Sequence, residues 1–187
     1  NARILYNKGL KLQSLKVLER AKELARQNQK YNTLVQLISL EKKIEILHIT
    51  RSPTEQTERL AEESLAVSAH IERVTKLSNL ALLLYRWYVL YGHTRNEEEE
   101  ERINTYFRKN LPADLDRVNS FYERLYLYQS YCWLSFIRQD FLRNYRYARK
   151  WLGLYEEDPR MVGIETGHYI KGLNSLLNAH FALRDFR

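Results

Sequence analysis

The sequence predicts an all-α protein, arranged as a right-handed α-α superhelix of antiparallel helix pairs. Apolar residues recur at helical spacing along most of the 187 residues. The six glycines and three prolines are few for this length, and they favour long helices over strands, which need more turn residues. Hairpins of two helices also recur with a nearly constant step, as expected when each hairpin buries its apolar stripe against the next.

The repeat is clearest in residues 128–159, where two periodic runs flank a polar corner and Asp158-Pro159 ends the second run. A copy of the corner follows 45 residues later. The paired identities are Ser130 with Ser175, Phe136 with Phe181, Asp140 with Asp185 and Phe141 with Phe186. The predicted corners along the chain are Gly9, Ser52, Gly92, Asp140 and Asp185. Their near-constant spacing predicts an array of helix pairs.

Aromatic, small and proline residues stand in a recurring order within two of these hairpins. They are Leu5-Tyr6-Asn7-Lys8-Gly9, Leu15, Leu18, Ala21 and Ala25, and then Tyr131, Trp133, Asp140-Phe141, Ala148, Trp151 and Pro159. In these residues the chain resembles the tetratricopeptide repeat family. The step is longer than the ~34 residues of that family, and armadillo or HEAT arrays, with steps of ~40–47 residues, also fit. Asn144 and Tyr145 are larger than the residues that the family places there.

The first half of the chain contains five periodic segments. Helices are predicted over residues 2–8, 12–28, 34–50, 54–70 and 73–91. Gly9 closes the first of them, and Ser52-Pro53 starts the fourth with a capping hydroxyl followed by a proline in the first turn. Residues 73–91 are apolar on most sides and are predicted to form a central helix that ends at Gly92.

The second half contains four more segments. Helices are predicted over residues 97–109, 114–136, 141–155 and 162–181. Glu97 to Glu101 are interpreted as the acidic first turn of a helix, where carboxylates meet the positive end of the dipole, rather than as an acidic binding patch. Asp114 is predicted to cap the long helix that follows it. No linker divides the chain, so residues 1–187 are predicted to form a single domain, which we expect to be part of a longer array.

Composition and spacing exclude several kinds of chemistry. The single cysteine, Cys132, leaves no intrachain disulfide or cysteine-based metal site. None of the five histidines has a second ligand three or four residues away, and no glycine-rich phosphate loop occurs. The longest apolar run, residues 80–91, contains Arg86 and is too short to span a bilayer. We therefore expect neither catalysis, nor a metal or other cofactor, nor membrane insertion.

The predicted function is a non-catalytic scaffold that binds a protein or peptide partner, such as a sensory or regulatory part of a larger polypeptide. The family resemblance implies that the first helices of successive pairs, here residues 31–49, 73–91, 117–137 and 162–183, line a concave groove that holds the partner. Asparagine can donate to and accept from a peptide backbone, and lysine can meet a carboxylate. The predicted peptide-binding residues are Lys171, Asn174, Asn178, Gln129, Trp133, Arg86 and Lys42.

Nucleic-acid binding is the alternative. The 30 Lys and Arg residues outnumber the 23 Asp and Glu residues and give a net charge of +7, which permits an acidic partner. Basic and aromatic residues also alternate between Arg143 and Trp151, a pattern that can stack on bases. The same aromatic residues fall on one helical stripe, however, so core packing beneath a charged outer face is the preferred interpretation.

Overall fold

The computed structural model describes residues 1–47 and 54–183, and these residues form helices and no strand, which confirms the all-α class. The chain divides into two compact units, residues 1–72 and 73–187. The described part of the second unit ends at residue 183. The helices are α1 (Ala2–Asn7), α2 (Lys11–Gln27), α3 (Tyr31–Ile46), α4 (Thr54–Tyr91), α5 (Glu97–Asn110), α6 (Phe121–Ile137), α7 (Phe141–Glu157), α8 (Arg160–Ile164) and α9 (Thr166–Leu183).

Three of the predicted corners are confirmed by local geometry. Gly9 and Gly92 have positive φ angles of 78° and 72°, which glycine adopts without the penalty that a Cβ brings. The side chain of Asp140 accepts from the amide of Arg143 at 3.0 Å and starts α7. The predicted corners at Ser52 and Asp185 lie outside the described residues.

The first unit has a buried lysine between its helices as well as apolar packing. Lys22 of α2 lies with Nζ 2.6 Å from Glu41 Oε2 of α3 and 3.1 Å from Glu63 Oε2 of α4. Although burial alone would lower it, the surrounding carboxylates raise the pKa of Lys22 above its usual value. The ammonium group therefore stays charged, because its partners replace the water it has lost. Around it Leu18, Leu34, Ile38 and Ile44 are fully buried.

Helix α4 corrects two predictions. It runs without interruption from Thr54 to Tyr91, so the predicted boundary between residues 70 and 73 is wrong; no glycine or proline stands there to end a helix. The second-unit part of α4 is also buried on one side only. Leu77, Leu80 and Leu84 are buried, whereas Leu82 on the opposite face is 64% exposed.

The start of α5 confirms the interpretation of the acidic run. Asn96 accepts from the amide of Glu99 at 2.9 Å, and the Glu99 carboxylate accepts in return from the amide of Arg95. Glu97 to Glu100 occupy the first turn, where the amide ends of the helix favour negative charge. These glutamates therefore stabilise the N-terminal end of α5.

Helix α6 starts later than predicted and with a different cap. Asp114 is followed by a 3₁₀ turn, Leu115–Arg117, and makes no side-chain cap. The cap is Ser120, which accepts from the amide of Glu123 while the Glu123 carboxylate accepts from the amide of Ser120. This is a capping box, and its Ser-x-x-Glu pattern was present in the sequence.

The same Glu123 carries the main buried ion pair of the second unit. Its side chain is fully inaccessible, and Arg73 Nε of α4 donates to its Oε1 at 2.8 Å. Arg73 also donates to Asp114 at 3.2 Å. Burial alone would raise the pKa of Glu123, but the Ser120 amide, the Arg73 guanidinium and the Asn119 amide together hold it below the usual value.

We expect Arg73→Met to lower the free energy of unfolding by about 3 kcal/mol, since it removes the guanidinium that pairs with a buried carboxylate. A carboxyl whose pKa is depressed by folding contributes stability above its unfolded pKa and loses it as the pH falls through the folded value. In the variant the pKa of Glu123 is depressed less, so the variant should lose less stability than the wild type as the pH falls, and the difference between the two should narrow toward pH 3. Urea denaturation at a series of pH values between 3 and 7 measures both effects.

Arg149→Met is the matched control, because Arg149 is exposed on α7. It should change stability by less than about 0.5 kcal/mol. Equal stability and equal acid sensitivity of Arg73→Met and the wild type would contradict the role given to the ion pair.

Candidate binding cleft

Three helices of the second unit run in the same direction: the part of α4 after Arg73, α6 and α9. Between α4 and α6, Tyr85 lies 4.9 Å from Trp133 and Tyr88 lies 5.2 Å from Phe136, measured between ring centroids. Between α6 and α9, the Tyr122 hydroxyl donates to Glu165 at 2.9 Å, at the turn where α9 begins, and farther along both helices the Tyr126 ring lies 5.6 Å from the His168 ring. In both cases the second contact lies later in sequence on both helices, so the helices are parallel.

Helix α7 packs behind α6 and α9, and a glycine allows α9 to approach it. A Cβ at Gly172 would lie 3.1 Å from Leu152 Cδ2 and 3.3 Å from Trp151 Cε2. Gly172 therefore permits a close contact between α9 and α7. Gly163 and Gly167 have no such neighbour within 4 Å, so close approach does not explain them.

A cleft of about 580 Å³ opens between the three parallel helices, with α7 at its floor. Its lining residues are Ser78, Asn79, Ala81, Leu82 and Tyr85 of α4, Tyr126, Gln129, Cys132, Trp133 and Phe136 of α6, Asn144 and Trp151 of α7, and His168, Lys171, Asn174, Ser175 and Asn178 of α9. We call this set the cleft. Its volume falls in the range of sites that hold a small ligand.

Five of the seven predicted binding residues meet in this cleft: Lys171, Asn174, Asn178, Gln129 and Trp133. They come from α6 and α9, whose facing stripes follow from helical periodicity alone. The structure thus brings together side chains of α6 and α9 that are 38 to 49 residues apart in sequence.

The other two predicted residues lie elsewhere. Arg86 is exposed on α4 but is absent from the cleft lining. Lys42 belongs to the first unit, where it is half-buried on α3. Their prediction assumed that every repeat consists of two separate helices in the same register. The continuous α4 does not meet this assumption.

Aromatic rings form one end of the cleft. Tyr85 and Phe136 flank Trp133, with Phe136 edge-on at 6.2 Å between centroids. Tyr85 is 48% exposed and Leu82 is 64% exposed, so this wall presents apolar surface to an occupant. Sequence reasoning placed residues 73–91 along the groove but did not name Leu82 or Tyr85, although the apolar residues around most of this helix were a signal that one face would remain uncovered.

Polar side chains along α6 and α9 face the same space. Asn174, Asn178 and Lys171 are exposed, and Gln129 is 9% exposed. None of the four side chains makes a hydrogen bond or ion pair with another residue in the described ranges 1–47 and 54–183. The donors and acceptors of these four groups are therefore open to a ligand.

A histidine lies at the opposite end of the cleft from the aromatic wall, and a glutamate outside the lining holds it. His168 Nδ1 lies 3.1 Å from Glu165 Oε2, and the His168 ring meets Tyr126 edge-on at 5.6 Å. Burial, followed by the nearby Glu165 carboxylate, raises the pKa of Tyr122. Tyr122 therefore remains a hydroxyl donor to Glu165 throughout the physiological pH range. His168 was not among the predicted site residues.

The polar groups at the floor of the cleft are hydrogen-bonded within the protein, and the thiol there is not activated. Asn144 of α7 donates to the Cys132 carbonyl at 2.9 Å, and both residues are buried. Burial raises the pKa of the Cys132 thiol to about 12. The thiol is therefore almost fully protonated at neutral pH.

The basic and aromatic run on α7 is packed against the protein. Tyr147 stacks on Tyr131 at 4.2 Å with an interplanar angle of 7°, and Trp151 is 3% exposed. The Arg143 guanidinium lies 5.4 Å from the Tyr131 ring centre. These rings are occupied by contacts within the chain, which favours the core-packing interpretation of the run over base stacking.

Neither a family model, nor a curated protein, nor a solved structure matches the chain. The tetratricopeptide resemblance therefore stays a prediction. In the described residues, no helix combines the length and the apolar character needed to cross a membrane, and no group of three or more potential metal ligands is present.

We expect Cys132 to react slowly with a chromogenic aromatic disulfide at pH 7.5 while the chain is folded. A pKa near 12 leaves roughly a thousandfold less thiolate than an ordinary cysteine has, and burial adds a steric barrier. The rate should rise by at least that factor in 6 M guanidinium chloride. Because the chain has one cysteine, the unfolded chain is its own control, and equally fast reaction in both states would show that the cleft floor is open.

Proposed function

We propose that this chain is a non-catalytic scaffold that binds a short extended segment of a protein or peptide in the cleft. The proposal includes a tetratricopeptide-like, right-handed superhelix in which α4, α6 and α9 are the inner helices of successive pairs. The observation that carries it is the convergence of unpaired amide side chains, an unpaired lysine and an aromatic wall on one cleft.

The dimensions of the cleft suit a short segment. On α9 the lining runs from His168 to Asn178, and on α6 from Tyr126 to Phe136. Ten helical residues span about 15 Å along each axis. An extended chain advances about 3.3 Å per residue, so four to five residues of a bound segment would fill this length.

The chemistry of the cleft suits a peptide backbone. A side-chain amide both donates and accepts, and so does each peptide unit. Gln129 on α6 and Asn174 and Asn178 on α9 offer such groups from two walls. The wall formed by Tyr85, Trp133 and Phe136 would hold an apolar side chain of the segment.

The one thiol of the cleft is in the wrong protonation state for a nucleophile. The Cys132 thiol is protonated, as its raised pKa indicates. This property favours binding over covalent chemistry at the floor of the cleft.

The test is a screen of short peptides against the immobilised chain, followed by affinity measurements on the peptides that it captures. We expect the double variant Asn174→Ala and Asn178→Ala to weaken binding by roughly tenfold or more, since each lost hydrogen bond to the ligand costs about 0.5–1.5 kcal/mol. Both asparagines are exposed and unpaired, so the variant should unfold at the wild-type temperature.

Asn119→Ala is the matched control, because Asn119 is exposed and outside the cleft. It should leave affinity unchanged. Captured peptides whose affinity is the same for the wild type and the double variant would remove these asparagines from the site, and a screen that captures no peptide would overturn the proposed function.

A further inference from the structure

His168 is held in one orientation at its end of the cleft. Its Nδ1 is 3.1 Å from Glu165 Oε2, while Glu165 Oε1 accepts from the Tyr122 hydroxyl at 2.9 Å. The Tyr155 hydroxyl lies 3.4 Å from the main-chain oxygen of Glu165. Glu165 is thus bound from α6 and α7, and it fixes the imidazole that lines the cleft.

This contact determines which ring nitrogen carries the proton. A carboxylate only accepts hydrogen bonds, so Nδ1 of His168 must be the donor to Glu165. In the neutral imidazole Nε2 is then an acceptor. The His168 side chain is 25% exposed, so this acceptor remains within reach of an occupant of the cleft.

Lys171 is one helical turn farther along α9 and lines the same cleft. Residues three apart on a helix are neighbours, at about 5–6 Å between Cβ atoms. The Lys171 ammonium donates and has no partner among the described residues. An acceptor and a donor therefore stand side by side on one face.

An extended peptide residue presents the complementary pair. Its N–H and C=O point to the same side, which is why two antiparallel strands exchange two hydrogen bonds between opposite residues. We propose, on the basis of the proposed function, that His168 accepts from the N–H of one bound residue and Lys171 donates to its C=O.

This pairing gives the segment a direction. Within one residue the N–H precedes the C=O along the chain. With the N–H at His168 and the C=O at Lys171, the segment runs from the His168 end toward Asn178, parallel to α9. Its later residues then pass Asn174 and Asn178, and an apolar side chain reaches the wall at Trp133.

The test uses N-acetylated, C-amidated six-residue peptides captured by the wild-type chain from a random pool. The tightest peptide is resynthesised with each backbone amide N-methylated in turn. We expect methylation at one amide to weaken binding to the wild type by roughly tenfold, the loss typical of a hydrogen bond to a charged or buried group. In His168→Phe the same methylation should change affinity by less than about twofold, because its partner is already gone.

A second arm uses the unmethylated peptide. Glu165→Gln keeps the imidazole but replaces one of the two acceptor oxygens with an amide donor, so the proton is no longer fixed on Nδ1 of His168, and we expect this variant to weaken binding. His180→Phe, on α9 outside the cleft lining, is the control and should behave as the wild type. Thermal unfolding checks that each variant is folded.

One result would overturn the inference while leaving peptide binding intact: the same N-methylation profile for the wild type and His168→Phe. A wild-type chain that captures no peptide from the pool would overturn the proposed function and this inference together.

Discussion

The buried carboxylate of Glu123 is the constraint on which the second unit depends. It has no access to water, and its partners are the amides of Asn119 and Ser120 and the guanidinium of Arg73. An uncompensated buried charge would be strongly unfavourable, so α6 can begin only where these donors converge. Because Arg73 belongs to α4, this contact sets the level of α4 against α6, and three turns later it brings Tyr85 against Trp133.

The cleft follows from two further features of the packing. Gly172 lets α9 lie directly on Trp151 and Leu152 of α7, and Glu165 ties the start of α9 to α6 through Tyr122. The sides of these helices that point away from the cleft are covered by buried apolar side chains. The sides that line the cleft retain amides, a lysine and aromatic rings with open surface. A rigid scaffold that leaves unpaired polar groups in one cleft is suited to binding at a low ordering cost.

The parts that could be predicted from the sequence depend on local physics. Asn174 and Asn178 share a face because of the helical period, and Gly92 and Asp140 end or start helices through their own backbone preferences. Features that depend on how distant segments meet could not be predicted, because tertiary packing decides them. Arg86 does not line the cleft, and Asp114 pairs with Arg73 instead of capping α6. The place of His168 in the cleft depends on where α6 and Glu165 lie.

The most direct measurement of the central claim is photo-cross-linking with a peptide that the chain captures and that carries a diazirine on its apolar side chain. Mass spectrometry of the digested product locates the residue that forms the bond. Binding in the cleft predicts cross-links to Tyr85, Trp133 or Phe136, which form its aromatic wall. Cross-links confined to the exposed face of α7, at Arg146 or Arg149, would contradict it.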